Sequence, residues 1–313
     1  MVIKMEKIKP PKLNPGDEIR VIAPASAPDI KQLSEGVARL RKLGFKVSVG
    51  KNIKKLVQRN DLAAPAKERS EELMTAFKDP NVKAIFSARG GYGSIHILPL
   101  LDYDIIRENP KIFMGYSDIT ALHLAMNKFS NLVTFHGPMV ASDVSEFSKP
   151  SFKYFLDILS GKSMDISMIN KDRLIKYIIP GKAEGLSMGT NLSVAASLFG
   201  TSYLPDTDGR IFFIEDTNIT SGDIDRYFYT MKLANLNNFA GYVFGDFRAI
   251  MDKDEPTPSV EDVVQKFMNE TNKPSLYGAP FGHGEEQLLI PLNARIEISD
   301  DEPYMGLKED IVN

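Results

Sequence analysis

Cysteine is absent from the 313-residue sequence, which removes disulfides, thiol nucleophiles and cysteine-ligated metal sites, so any covalent catalysis must use another nucleophile. Histidine is scarce. The four residues His96, His123, His136 and His283 form no His-Glu-x-x-His pattern, and neither a metal nor another cofactor is expected. No apolar stretch is long enough to span a bilayer, and the lysine-rich, proline-broken segment Met1 to Pro15 has no signal-peptide run. The expectation is a cytoplasmic protein without a membrane partner. Nor does one sign of charge dominate: 38 basic residues stand against 41 acidic ones, for a net charge of −3. Without a basic stripe, nucleic acid is not an expected partner.

What is present is ordinary for a globular chain, with 43% hydrophobic and 25% charged residues, enough for two domains or one large one. From Glu18 to about Pro138 short apolar runs alternate with amphipathic segments, the pattern of strand-helix-strand units around a parallel sheet. Strands are expected at Ile19–Ala23, Phe45–Val49, Ala84–Ser87, Ile112–Tyr116 and Leu132–Phe135. Helices are expected over Leu33 to Leu43, Ala66 to Phe77, Ile97 to Leu101 and Ala121 to Phe129. Residues 1–140 then form an N-terminal α/β domain. A less regular stretch, 141–180, reads as a connector with one short helix near Phe152 to Leu159. Residues 181–313 form a smaller second α/β domain, with strands at Ile211–Ile214, Gly241–Phe244, Leu288–Ile290 and Ile296–Ile298.

The most informative segment is Ile112-Phe113-Met114-Gly115-Tyr116-Ser117-Asp118, where an apolar run stops and a helical pattern starts at once. At a nucleophile elbow a serine sits on such a strand-to-helix turn, facing the free N–H groups of the following helix. Ser117 is therefore a candidate nucleophile, although Ile119 occupies the place of the usual second glycine and a plain helix cap would read the same way. A serine needs a base, and the base needs an orienting partner. His283, flanked by Gly282 and Gly284, fits the first role, with His136 as a rival. Glu215, at the end of the apolar run Ile211–Ile214, fits the second; pairing with Arg226 is its structural alternative. The N–H of Asp118 and the loop Arg89-Gly90-Gly91-Tyr92-Gly93 match the two parts of an oxyanion hole. That loop lacks the spacing of a dinucleotide or P-loop cradle.

Taken together, Ala88-Arg89-Gly90-Gly91-Tyr92-Gly93, Gly115-Tyr116-Ser117-Asp118, Ile214-Glu215-Asp216 with Asp225-Arg226, and Gly282-His283-Gly284 resemble the successive blocks of the LD-carboxypeptidases. This serine peptidase family includes the muramoyl-tetrapeptide carboxypeptidases and the microcin C self-immunity proteins. The resemblance runs from about Pro15 to Ile298. It implies a flavodoxin-like N-terminal domain, a smaller C-terminal α/β domain and a homodimer. It also implies a catalytic triad of Ser117, Glu215 and His283 with an oxyanion hole from the backbone of Gly91 and Asp118. The implied substrate is a muropeptide, whose terminal D-alanine is released in cell-wall recycling. A carboxypeptidase must also receive a terminal carboxylate, for which Arg89 and Arg226 are the candidates. Thr190 and the segment Asn218–Asp223 depart from the common family pattern where the substrate would be lined.

Two other functions compete. A microcin C immunity-type peptidase would keep the triad and cut an amide beside a nucleotide-like group; it should carry a base-stacking aromatic, which the segment Glu215 to Arg226 lacks. A non-catalytic two-domain binder would use the glycine loop and helix N-terminus without requiring Glu215 and His283 to serve Ser117.

Overall fold

The computed structural model describes residues 6–54, 61–144, 149–162, 175–250, 258–284 and 287–313. In chain order it begins with β1 (Glu18–Ile22), α1 (Ile30–Lys42), β2 (Lys46–Val49), α2 (Ala66–Lys78), β3 (Val82–Ser87) and α3 (Tyr103–Glu108). Next come β4 (Ile112–Gly115), α4 (Thr120–Phe129), β5 (Thr134–His136), α5 (Lys149–Leu159), β6 (Lys176–Ile179), β7 (Ala183–Asn191) and α6 (Leu192–Ala196). The chain ends with β8 (Ile211–Ile219), α7 (Ser221–Leu233), β9 (Gly241–Ala249), α8 (Val260–Thr271), β10 (Ser275–Tyr277), β11 (Ile290–Leu292), β12 (Arg295–Ile298) and β13 (Met305–Leu307).

The chain divides into two compact units. The first takes Met1–Ser163 with two returning segments, Leu289–Asn293 and Asp310–Asn313. Its sheet runs β11-β5-β4-β3-β1-β2. The pairs among β1 to β5 are all parallel and follow the flavodoxin strand order, while β11 closes the β5 edge antiparallel. Parallel strands covered on both faces read as apolar runs, as β3 and β4 do; Ile85, Phe86, Phe113 and Met114 are fully buried. The helix expected over Ile97–Leu101 is instead a 3₁₀ segment, Ser94–Leu100, with Pro99 inside it. Proline removes a backbone donor and blocks a regular α-helix there.

The second unit comprises Met164–Leu288 and Ala294–Glu309. Its sheet runs β13-β12-β7-β8-β9-β10-β6, with a parallel centre from β7 to β10 and antiparallel edges. On one layer α7 and α8 stack through Phe228 and Phe267, whose ring centroids lie 4.2 Å apart. Both helices open with a capping box, Thr220 with Asp223 and Ser259 with Asp262, which satisfies end N–H groups that have no partner within the helix. The result is a mixed α/β protein with a flavodoxin-like first sheet and a smaller second α/β unit. No described helix is long and apolar enough to cross a membrane.

Candidate active site

Doubly wound sheets carry their chemistry at the carboxyl ends of the strands, and in the first unit the candidate Ser117 follows such an end, that of β4. Gly115 ends the strand, Tyr116 remains extended, and Ser117 turns the chain at φ +61° into a 3₁₀ turn that feeds α4. A left-handed conformation at a non-glycine residue costs on the order of 1 kcal/mol and persists only where the surroundings impose it. Here the surroundings are tight: a Cβ on Gly115 would meet Ser87 Oγ at 2.9 Å. Behind the turn, the buried His123 donates from Nε2 to the Gly115 carbonyl at 2.9 Å, and burial lowers its pKa to about 4.

The loop after β3 lies directly against this turn. A Cβ on Gly90 would sit 3.1 Å from Ser117 Cβ and 3.4 Å from Asp118 N. Gly91 adopts φ +94°, and a Cβ there would strike Ser26 Oγ at 2.5 Å. Ser26 fixes the loop from the other side, donating its N–H to Gly90 O at 3.1 Å and accepting the Tyr92 N–H at 3.1 Å. The Asp118 side chain has a structural task. It is buried and accepts the Ser94 N–H at 2.8 Å, and burial pushes its pKa up. Arg69, also buried, donates to the carbonyls of Ala64 at 2.8 Å and Gly93 at 2.9 Å, and to that of Pro24. No sequence pattern marks Arg69, because its partners are backbone carbonyls brought together only by the fold.

Arg89 is exposed at the start of the glycine loop. Its Nη1 donates to Ala27 O at 3.0 Å, its Nε lies 3.8 Å from the Cβ position of Gly91, and no acidic side chain pairs with it among the described residues. Arg226 differs: it lies exposed on α7 and pairs with Asp223 at 2.6 Å. The two remaining histidines have no such setting. His136 lies inside β5, fully buried and in register with Gly115 and Ile290, not in a turn. His96 is exposed, with Nε2 3.3 Å from the Tyr92 hydroxyl.

In the second unit the structure brings Glu215 and His283 together. Glu215 is wholly buried within β8, and His283 Nδ1 lies 2.7 Å from its Oε2 with 18% of the imidazole side chain exposed. The β8–β9 register slips between Ile214 and Asp216, an irregularity of the kind that re-aims a side chain. Gly282, at φ +116°, packs over the carboxylate; a Cβ there would lie 2.9 Å from Glu215 Oε2. Burial pushes the Glu215 pKa up, and the bond and charge of His283 oppose that shift. The other carboxylate oxygen accepts from Asn191 Nδ2 at 3.2 Å. Tyr227 on α7, one residue past the segment read as lacking aromatics, is half-buried. Its hydroxyl pKa is raised by burial, then by the charges of Asp223 and Asp216. Among the described residues no three histidine or acidic side chains gather as a metal site would require.

A strained serine on a strand-to-helix turn, a glycine loop packed on it and a buried glutamate–histidine pair are components of serine hydrolases. Residues 19–137 match the LD-carboxypeptidase N-terminal domain and residues 184–298 the LD-carboxypeptidase C-terminal domain. The chain belongs to the LD-carboxypeptidase family, and it is a serine-type carboxypeptidase, a hydrolase of peptide bonds. The probable murein peptide carboxypeptidase of Bacillus subtilis is 36% identical over 301 residues, covering 94% of this chain and 92% of the relative. A solved MccF-like protein from Bacillus anthracis shares 32% identity at a TM-score of 0.82, covering 96% of this chain and 99% of that one. The microcin C7 self-immunity protein MccF, solved with glutamyl sulfamoyl guanosine, shares 25% identity at a TM-score of 0.87, covering 97% and 99%.

Proposed function

We propose that the protein is an LD-carboxypeptidase that removes the terminal D-alanine of murein tetrapeptides, with Ser117 as nucleophile, His283 as its base and Glu215 as the orienting acid. The observation that carries this reading is the 2.7 Å bond between His283 Nδ1 and the buried Glu215. A proton held on Nδ1 by a carboxylate leaves Nε2 as the basic nitrogen and stabilises the imidazolium once it forms.

In the reaction Ser117 Oγ attacks the carbonyl carbon of the L,D peptide bond while His283 Nε2 takes the hydroxyl proton. The carbonyl oxygen becomes an oxyanion, stabilised by the N–H groups of Gly91 and Asp118. His283 then returns the proton to the departing amine, and D-alanine leaves. Water, activated by the same imidazole, hydrolyses the ester on Ser117 and restores the serine. Arg89 receives the free carboxylate of the substrate. Among the described residues its guanidinium pairs with a carbonyl and no acidic side chain, and its Nε lies beside the glycine loop, whereas that of Arg226 is paired with Asp223. Cell-wall recycling, a cytoplasmic location and a homodimer belong to the same proposal.

A second reading keeps the triad and changes the substrate to an aminoacyl conjugate of a nucleotide-like group. Tyr227 supports it, being an aromatic within electrostatic reach of Asp216. The discriminating experiment measures D-alanine release from a muropeptide tetrapeptide, with EDTA present, for wild type and Ser117→Ala. Release by wild type and a loss of roughly 10⁴-fold or more in the variant is the expected result. No release by wild type, alongside cleavage of an aminoacyl sulfamoyl nucleoside, would move the assignment to the second reading.

A further inference from the structure

The glutamate of a Ser-Glu-His arrangement must be held in one rotamer, and among the described residues the side-chain amide that reaches Glu215 is that of Asn191. Asn191 ends β7 directly opposite Glu215 in the parallel β7–β8 register. It is 3% exposed, and both ends of its amide are engaged. Oδ1 accepts the Val194 N–H at 3.1 Å and the Ser193 hydroxyl at 2.9 Å. Nδ2 donates to Glu215 Oε1 at 3.2 Å and to Asp216 Oδ1 at 3.1 Å. The acceptor contacts fix which way the amide faces, so both donor hydrogens point at carboxylates. Asp216 is itself anchored, accepting the N–H groups of Ser193 and Thr217, each at 2.8 Å.

Two adjacent carboxylates are thus buried side by side, and Asn191 is the side chain that bridges them. Glu215 has His283 on one oxygen and Asn191 on the other. The charges that act on it come from His283, on the turn after β10, and from its β8 neighbour Asp216. Asp246, within β9, packs on the same turn against Gly284. An amide is suited to this place because it donates without charge; a carboxylate would add a third negative group, and an apolar side chain would leave Glu215 Oε1 short of a donor.

We propose that Asn191 is a positioning residue of the reaction: its amide holds Glu215 ionised and aimed at His283, and it does so separately from its capping of α6. The inference rests on the reading of Glu215 and His283 as catalytic. The test therefore includes Glu215→Gln, whose unchanged activity would defeat that reading rather than this one.

The decisive variant of the full chain is Asn191→Ser, because serine retains an oxygen for the Val194 N–H but carries no second donor for the carboxylates. Three quantities are compared with wild type: kcat and KM for D-alanine release, the acid limb of kcat/KM against pH, and the low-field Nδ1–H proton resonance of His283, assigned by its absence in His283→Asn. Expected are a roughly tenfold fall in kcat with KM little changed, and an acid limb moved up by about one pH unit, since removing a donor to the charged form favours protonation. The low-field resonance should shift or broaden. Asn191→Asp, an equally good cap with added negative charge, should move the acid limb further in the same direction. A folded Asn191→Ser enzyme with wild-type kcat, acid limb and resonance would overturn the proposal. Should Asn191→Ser fail to fold, an Asn191→Asp enzyme with a wild-type pH profile and resonance would do the same.

Discussion

At Ser117 a strained backbone and a proposed chemical role fall on one residue. Its φ of +61° is a conformation that glycine adopts freely and serine does not. Ser117→Gly should therefore raise the stability of the protein by about 1 kcal/mol while abolishing peptidase activity, as measured by denaturant unfolding beside an activity assay; a destabilised variant would mean that the serine side chain contributes more than its strain costs. His123 gives a second residue-scale expectation. Its pKa falls from 6.5 to about 4 on burial, so between those values the unfolded chain binds a proton that the folded chain does not. Stability then drops as pH falls through this window, by on the order of 3 kcal/mol in all. In His123→Phe, unfolding free energies from pH 7 to 4 should follow a flatter line, and an unchanged slope would contradict it. Ser117, Glu215 and His283 were legible as candidates because each sits in a short motif with a chemical reason. Asn191 and Arg69 were not, since each acts through partners distant in sequence: a neighbouring strand for one, backbone carbonyls for the other.

Among elements, those whose local pattern decides their state were readable, and those decided by distant pairing were not. The apolar runs of β1, β3 and β4, and the periodic face of α1 with Leu33, Val37 and Leu40 buried, needed no tertiary knowledge. By contrast β7, Ala183–Asn191, carries Glu, Ser, Thr and Asn and becomes a strand through β8 and β12 on its two sides. The sequence pattern places the apolar run near Leu288 to Ile290 in the second domain, yet β11 pairs with β5 in the first sheet; a three-residue strand holds no signal of which sheet will receive it. The turn bearing His283 gives the prediction at this scale. Gly282 combines φ +116° with a Cβ position 2.9 Å from Glu215 Oε2, so Gly282→Ala should destabilise the protein by about 2 kcal/mol and lower kcat/KM at least a hundredfold. Near-wild-type values for both would show that the turn does not set the geometry of the glutamate.

For the whole molecule, the chain assigns its proposed nucleophile to one unit and the proposed acid and base to the other. The first unit is itself completed by residues from far along the chain, with Asn313 accepting the Lys12 N–H at 3.0 Å and donating to Pro10 O at 2.9 Å. Domain order and fold class were readable from the alternation of patterns, while these returning segments were not, because their attachment is a long-range pairing. The central claim is that His283 activates Ser117. The measurement that tests it most directly is the rate at which a fluorophosphonate probe labels Ser117, located by peptide mass spectrometry, in wild type and in His283→Ala. Rapid labelling of Ser117 in the wild type and a fall of at least a hundredfold in the variant is the expected result. Equal labelling of the two proteins, or labelling at another serine, would contradict the claim.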